Sequence, residues 1–353
     1  MLLNNLLNYK NNNLTFIRAC LSIIVIYSHS FPLTGTNINN EIFFKLSGCY
    51  TGGTIAVAIF FFISGILITK SYLKDENPIE FTISRLFRLL PALLVAAIFL
   101  AFIAGPLLTT YSLDEYFGNI YIYSFIYNNI IFNTDFNLPG VFANLYFPRS
   151  IVGSWWTLRY EFFCYFVLLM LGMLGIFKNR NICLLIGCIF IYLTLTELDF
   201  IKQFYTRGGT TDIYYLPLYF IFGSLFFLFS DIININFKTT IAIVGLTYFL
   251  KGTPVYNYLF LISCFFVCLW LSVHPLIMKL KMKHDLSYGV YIYGFFIQQL
   301  LVYFLPDLNS NLNALLSVLI CIPLGLLSAI FIEEPSINLG KKIIKKLTFI
   351  LER

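Results

Sequence analysis

Charge is scarce in this chain. Asp, Glu, Lys and Arg make up 11% of its 353 residues, against about 25% in a soluble globular protein. That scarcity excludes an ordinary soluble enzyme. There are three His and three Trp, and a net charge of +6. The surplus is spread over short connections rather than gathered into a basic stripe interleaved with aromatics, so nucleic acid is not expected as a partner. Eight Cys are present but no Cys-x-x-Cys. Cys264 and Cys268 share a helix face with no His or carboxylate within a turn, so no metal site is expected. Seven of the eight lie in apolar runs, where a thiol packs as a small hydrophobe; Cys49 falls in a connection without an obvious partner. There is no small-residue cleavage site after the first apolar run, no low-complexity tract and no soluble domain.

What fills the space is hydrocarbon. Hydrophobic residues reach 59% and aromatics 19%, with a mean hydropathy of +0.82. Runs long enough to span recur at about 14–33, 51–73, 86–108, 154–176, 181–198, 214–230, 239–252, 255–277, 286–305 and 312–332. The seventh is the shortest. This pattern predicts an all-α, polytopic membrane bundle of about ten helices. With both termini cytosolic, most of the 23 Lys and Arg fall on the cytosolic side. The outer side keeps Lys45, Arg149, Arg159, Lys202, Arg207 and Lys251, and that bias sets the orientation. The segment "YFGNIYIYSFIYNNIIF" within 109–153 imitates a span. Counting it as one would place Lys178 and Arg180 outside, so it is expected to be re-entrant or interfacial. Residues 1–340 are expected to form one transmembrane domain and 341–353 a short basic cytosolic tail, with Pro335 ending the last span.

Ionisable groups inside apolar helices are costly and therefore candidates for function. In "FIRACLSIIVIYSHSFP" Arg18 and His29 are eleven residues apart. On a helix they share nearly one face and lie about 16 Å apart along its axis. The competing reading is a snorkelling Arg and an interfacial His. Ser64-Gly65 in "FFFISGIL" lets a ligand or a second backbone come close. In "SRLFRLLP" Arg85 and Arg88 stand at i and i+3 and suit phosphate oxygens; positive-inside anchoring competes. In "GSWWTLRYEF" Glu161 lies two turns into an apolar helix, fit to serve a His or a sugar hydroxyl, with an Arg159–Glu161 pair as the rival. Trp155 and Trp156 fit an interface belt. The ninth run adds Tyr288, Tyr291, Gln298 and Gln299. Glu333 and Glu334 close the last span against the helix dipole and call for a cation, with Arg18 or an Arg of the second loop as the expected partner. His274 and His284 are read as surface residues.

Together these elements resemble the acyltransferase-3 family of integral membrane acyltransferases. The Arg18–His29 spacing resembles its Arg-x10-His signature. "FFFISGIL" resembles FFxxSGFL, "SRLFRLLP" the paired-arginine element, and "GSWWTLRYEF" SLWTLxxE with Trp155 for Leu. "LSYGVYIYGFFIQQ" and "EEP" match the closing segments. Gly294 stands where some relatives carry a second His, so that His is not expected here. The resemblance covers nearly the whole chain and points to standalone enzymes that O-acetylate surface polysaccharides, lipopolysaccharide O-antigen included, in the bacterial inner membrane. It implies acetyl-CoA as acyl donor, no metal, and a glycan or lipid-linked glycan acceptor. On this reading His29 and Glu161 are catalytic; Arg18, Ser64, Gly65, Arg85 and Arg88 hold the donor; Trp156 and Tyr291 meet the acceptor; Glu333 supports the site. Membrane lipids are the surrounding partner, and the oligomeric state is open. A flippase for a lipid-linked sugar is the main alternative. A glycan polymerase and a pure assembly protein rank lower, because neither gives the Arg85/Arg88 pair and the buried ionisable groups a task.

Overall fold

A computed structural model describes residues 1–196 and 215–351, and the described residues are predominantly helical with no named strand. The principal helices are α1 (Leu14–Leu33), α2 (Gly52–Asp75), α3 (Pro78–Phe99), α4 (Trp156–Met173), α5 (Arg180–Leu195), α6 (Leu216–Leu228), α7 (Phe237–Phe249), α8 (Tyr256–Val273), α9 (Ser287–Phe304), α10 (Ser310–Ser328) and α11 (Glu334–Leu351). Each of the ten expected runs overlaps one of α1–α10. Among the described residues five helical stretches are long and apolar enough to cross a bilayer: Leu14–Leu33, Gly52–Asp75, Pro78–Leu108, Tyr256–Val273 and Ser310–Ile350. Three further apolar helices are shorter. The end of the fifth run and the start of the sixth, with Lys202 and Arg207, lie outside the described residues, as does Arg353.

Asn side chains start many of these helices. Asn13, Asn179, Asn236 and Asn309 each accept from an amide in the first turn that follows, satisfying donors that a helix start leaves orphaned. Two expected boundaries move. α3 begins at Pro78, a residue suited to a first turn because it has no amide to satisfy, so Arg85, Arg88 and Pro91 all lie inside the helix. Pro335 does not stop the last span. A π-turn over Ala329–Glu333 precedes it, and Pro335 then sits in the first turn of α11, where its missing N–H costs nothing. The basic stretch beyond 340 is therefore helical as far as Leu351. The mimic of a span becomes two short helices, Leu113–Phe117 and Ile120–Ile130. Eleven residues cover only about 16 Å, half of the hydrocarbon thickness.

The chain divides into two compact units. The first comprises Met1–Leu21, Thr54–Pro78 and Phe163–Met282. Its centre is the crossing of α2 and α6. A Cβ built on Gly65 would lie 2.0 Å from the carbonyl oxygen of Phe220, and one on Gly223 equally close to that of Phe62. Only glycine permits that approach. Phe62 stacks on Phe265 of α8 at 4.3 Å. The second unit comprises Ser22–Gly53, Ile79–Phe162 and Lys283–Arg353. In it α9 is buried along most of its length, with Tyr288, Val290, Ile292, Phe295, Phe296, Gln298 and Gln299 all inside.

Candidate functional site

Within the second unit the carboxyl half of α9 builds the surroundings of His29. The Gln298 amide reaches the Ile26 carbonyl at 2.7 Å, the Ser30 hydroxyl at 2.7 Å and Asn313 Oδ1 at 3.2 Å. Asn313 in turn donates to the Gln298 carbonyl. The turn of α1 that carries His29 is thus gripped on both sides of the imidazole. The ring lies edge-on to Phe295 at 5.7 Å, and Phe147 backs Phe295 at 5.8 Å. His29 is half-buried. An imidazole so held has a fixed position in an apolar wall, which is what a proton-transfer group requires. Neighbouring Gln299 donates to the carbonyls of Phe147 and Ser150 at 2.7 and 2.9 Å, fixing the loop that carries Phe147.

One turn earlier, α9 meets the start of α4. Trp155 is 1% exposed and its indole N–H donates to the Ile292 carbonyl at 3.0 Å. It is a core anchor rather than a belt aromatic. Trp156 is half-buried, edge-on to Tyr160 at 5.9 Å. The Tyr291 hydroxyl donates to the Ser154 carbonyl and lies 2.5 Å from the Thr157 hydroxyl. Tyr291 thereby pins the first turn of α4, and Glu161 is half-buried one turn on.

The amino end of α9 is ionic. Arg88 pairs with Asp285 at 3.0 Å, and Asp285 also accepts from the Ser287 hydroxyl at 2.6 Å and the Ser287 amide at 3.2 Å. Arg85 lies 5.8 Å from the centre of the Phe81 ring and is half-buried. The two guanidinium groups therefore form a braced site partly offset by a carboxylate, not a bare pair of cations. Tyr288 donates to the Leu89 carbonyl at 2.9 Å. His284 is not a surface residue: it bonds Glu334 at 2.6 Å with 19% of its side chain exposed. So the expected partner beside the closing Glu pair is neither Arg18 nor an Arg of the second loop for Glu334, but the His284 ring. Glu333 is 4% exposed, turned inward by the π-turn, and accepts from the Ser328 hydroxyl at 3.0 Å. Sequence reading missed Asp285, although Asp-x-Ser before an apolar run is a helix-start signal. It also missed the fully buried Glu41, which accepts from the Gly52 amide at 2.7 Å.

In the first unit, Arg18 is half-buried on the amino half of α1. The Ser64 hydroxyl lies 3.3 Å from that of Tyr165. Gly65 serves the α2–α6 crossing, so the packing explanation of that glycine is the one the structure supports. Among the described residues no group of three or more His, Cys, Asp or Glu could hold a metal ion.

The half-buried, gripped imidazole and the braced arginine pair lie in one compact unit of a helical protein with several membrane-length helices. The acyltransferase-3 family model, described as an acyltransferase domain, matches residues 11–334. The chain belongs to that family and is an acyltransferase. It is 30% identical over 304 residues to an O-acetyl transferase of Shigella phage Sf6, covering 83% of this chain and 86% of that one. It is 29% identical over 169 residues to Nodulation protein 10 of Rhizobium leguminosarum bv. viciae, covering 45% and 44%. No solved structure matches.

Proposed function

We propose that this acyltransferase moves an acetyl group from cytosolic acetyl-CoA to a hydroxyl of a surface glycan, O-antigen or another polysaccharide, across the bacterial inner membrane. The observation that carries the reading is the grip on His29, in a chain 30% identical over most of its length to an O-acetyl transferase. His29 accepts the proton of the acceptor hydroxyl as its oxygen attacks the thioester carbonyl. The C–S bond breaks, the acetyl ester forms, and the imidazolium returns its proton to the departing thiolate. Arg85 and Arg88 take the donor's phosphates, with the Arg88–Asp285 pair opening or sharing its fork. Arg18 and Ser64 serve the donor as well. Glu161 orients the imidazole or an acceptor hydroxyl, Trp156 offers a sugar its ring face, and Tyr291 holds the α4 turn that presents both. Glu333 braces the donor end.

Mass spectrometry of the surface glycan with and without the gene tests this directly. The expected result is one acetyl mass per repeat, lost in His29→Ala while the protein remains in the membrane. Full acetylation by His29→Ala would end the proposal, and glycan export that consumes no acetyl-CoA would favour the flippase.

A further inference from the structure

The connection from Ile131 to Gly153 carries one cation, Arg149, and one carboxylate, Asp135. They are not paired. Asp135 accepts from the Asn137 amide at 3.4 Å, and no ion pair among the described residues takes in Arg149. The Arg149 side chain is exposed, yet its backbone is held. Its amide donates to the Phe142 carbonyl at 2.9 Å, and the Phe147 and Ser150 carbonyls on either side of it accept from Gln299. Arg149 has a φ of +63°, left-handed, as have Phe132 and Phe142 at +58° and +51°. Three of the four such non-glycine residues among the described ones therefore lie in this connection. That backbone is costly for a residue with a Cβ and persists where the surroundings over-determine it.

The same segment lies beside the end of α1 that carries His29. Phe147 packs on Phe295, and Phe295 on the imidazole. α1 runs only one turn past His29 before Thr34, Gly35 and Thr36. The Tyr146 ring rests on Gly35, where a Cβ would come within 2.7 Å of it. Tyr146 is 67% exposed and Phe147 43%. The Thr34 and Thr36 hydroxyls, 3.0 Å apart, flank that glycine in the chain. The guanidinium suits an oxyanion, the open ring the C–H face of a sugar, and the hydroxyl pair its polar edge. A phospholipid headgroup would also meet the arginine. Such an anchor works from a mobile side chain on any backbone, however, and needs no strained segment tied at both sides.

We infer that Arg149 and Tyr146 form an acceptor subsite that selects an acidic glycan. The guanidinium takes the carboxylate of a hexuronate, Tyr146 supports the sugar ring, and a neighbouring sugar presents its hydroxyl toward His29. This rests on the acyl-transfer reading for that hydroxyl, whereas the binding of the acid is tested without transfer.

The full-length protein in phosphatidylcholine nanodiscs is titrated with hexuronate oligosaccharides and with their methyl esters, with no donor present. The wild type is expected to bind at least one acid about tenfold more tightly than its ester, the worth of one charge-assisted hydrogen bond. High salt should erase the difference. Arg149→Asn should abolish it. Asn tolerates left-handed backbone better than Arg, so the melting temperature of that variant should be equal or higher, which a merely structural arginine would not allow. Tyr146→Ala should weaken acid and ester alike. Acids that bind no better than their esters would overturn the inference. So would an acid preference that survives Arg149→Asn, or one that vanishes when phosphatidylglycerol is added to the discs and so assigns the arginine to a headgroup. An acid preference in a protein that transfers no acetyl would uphold the anion site and end the acyl-transfer reading instead.

Discussion

The two ends of α9 are held by different chemistry. At its amino end the pins are titratable groups: the Arg88–Asp285 ion pair and, just before the helix, the His284–Glu334 hydrogen bond. At its carboxyl end they are neutral amides: Gln298 on α1 and Asn313, Gln299 on the Phe147–Ser150 loop. Part-exposed ions keep access to water and counter-ions, so their pairing is cheap to make and cheap to break. Buried amides have no such recourse, and leaving one unpaired costs the full desolvation. The imidazole is placed at the end that cannot slacken. Arg88, with Arg85 one turn before it, is placed at the end that can exchange partners.

Several substitutions would break or sharpen that contrast. Gln298→Leu should be the most damaging, costing about 3 kcal/mol by orphaning buried partners and releasing the turn that carries His29. Thermal unfolding in detergent and acetylation should fall together. Gly153→Ala would place a Cβ 2.2 Å from the Phe295 ring. It should cost about 2 kcal/mol by overpacking and lower turnover more than donor affinity, because Phe295 lies against His29. Asp285→Asn should cost about 1 kcal/mol or less. Its mark should be an altered salt dependence of the donor's KM with turnover retained. An unchanged salt profile would count against any part for the Arg88 pair in donor binding. Glu41 is the exception to the contrast, a carboxyl buried in the connection between α1 and α2. Burial raises its pKa, against the lowering effect of bonds from the Gly52 amide and the Ser28 hydroxyl. A group raised in the folded state favours folding when protonated. That contribution is complete below the ordinary carboxylate range and is lost as pH rises through the raised value. Glu41→Gln should therefore flatten the fall in melting temperature over that interval, the smallest of these effects.

Much of this was legible in the sequence because apolar runs and bilayer thickness leave few choices. α1 is matched residue for residue, and the family elements fell where Arg18, His29, Arg85, Arg88 and Glu161 stand. The failures have local causes. Pro335 was expected to end the last span, yet it needs no amide partner after a π-turn. His284 was read as surface because its partner, Glu334, lies fifty positions away and no spacing rule joins them. Asp285 and Arg88 are further apart still. Gln298 and Gln299 were noticed as polar groups in a span, but which carbonyls they would reach follows from packing alone.

The π-turn at Ala329–Glu333 acts as a phase setter for everything that follows. It takes in one residue more than an α-helix would over the same rotation. Regular winding at unchanged length would turn α11 by about 100°, so that Gly340 would leave Phe87 and Glu333 would lose its inward heading. Deleting one residue within the π-turn would instead restore regular winding with Gly340 still against Phe87.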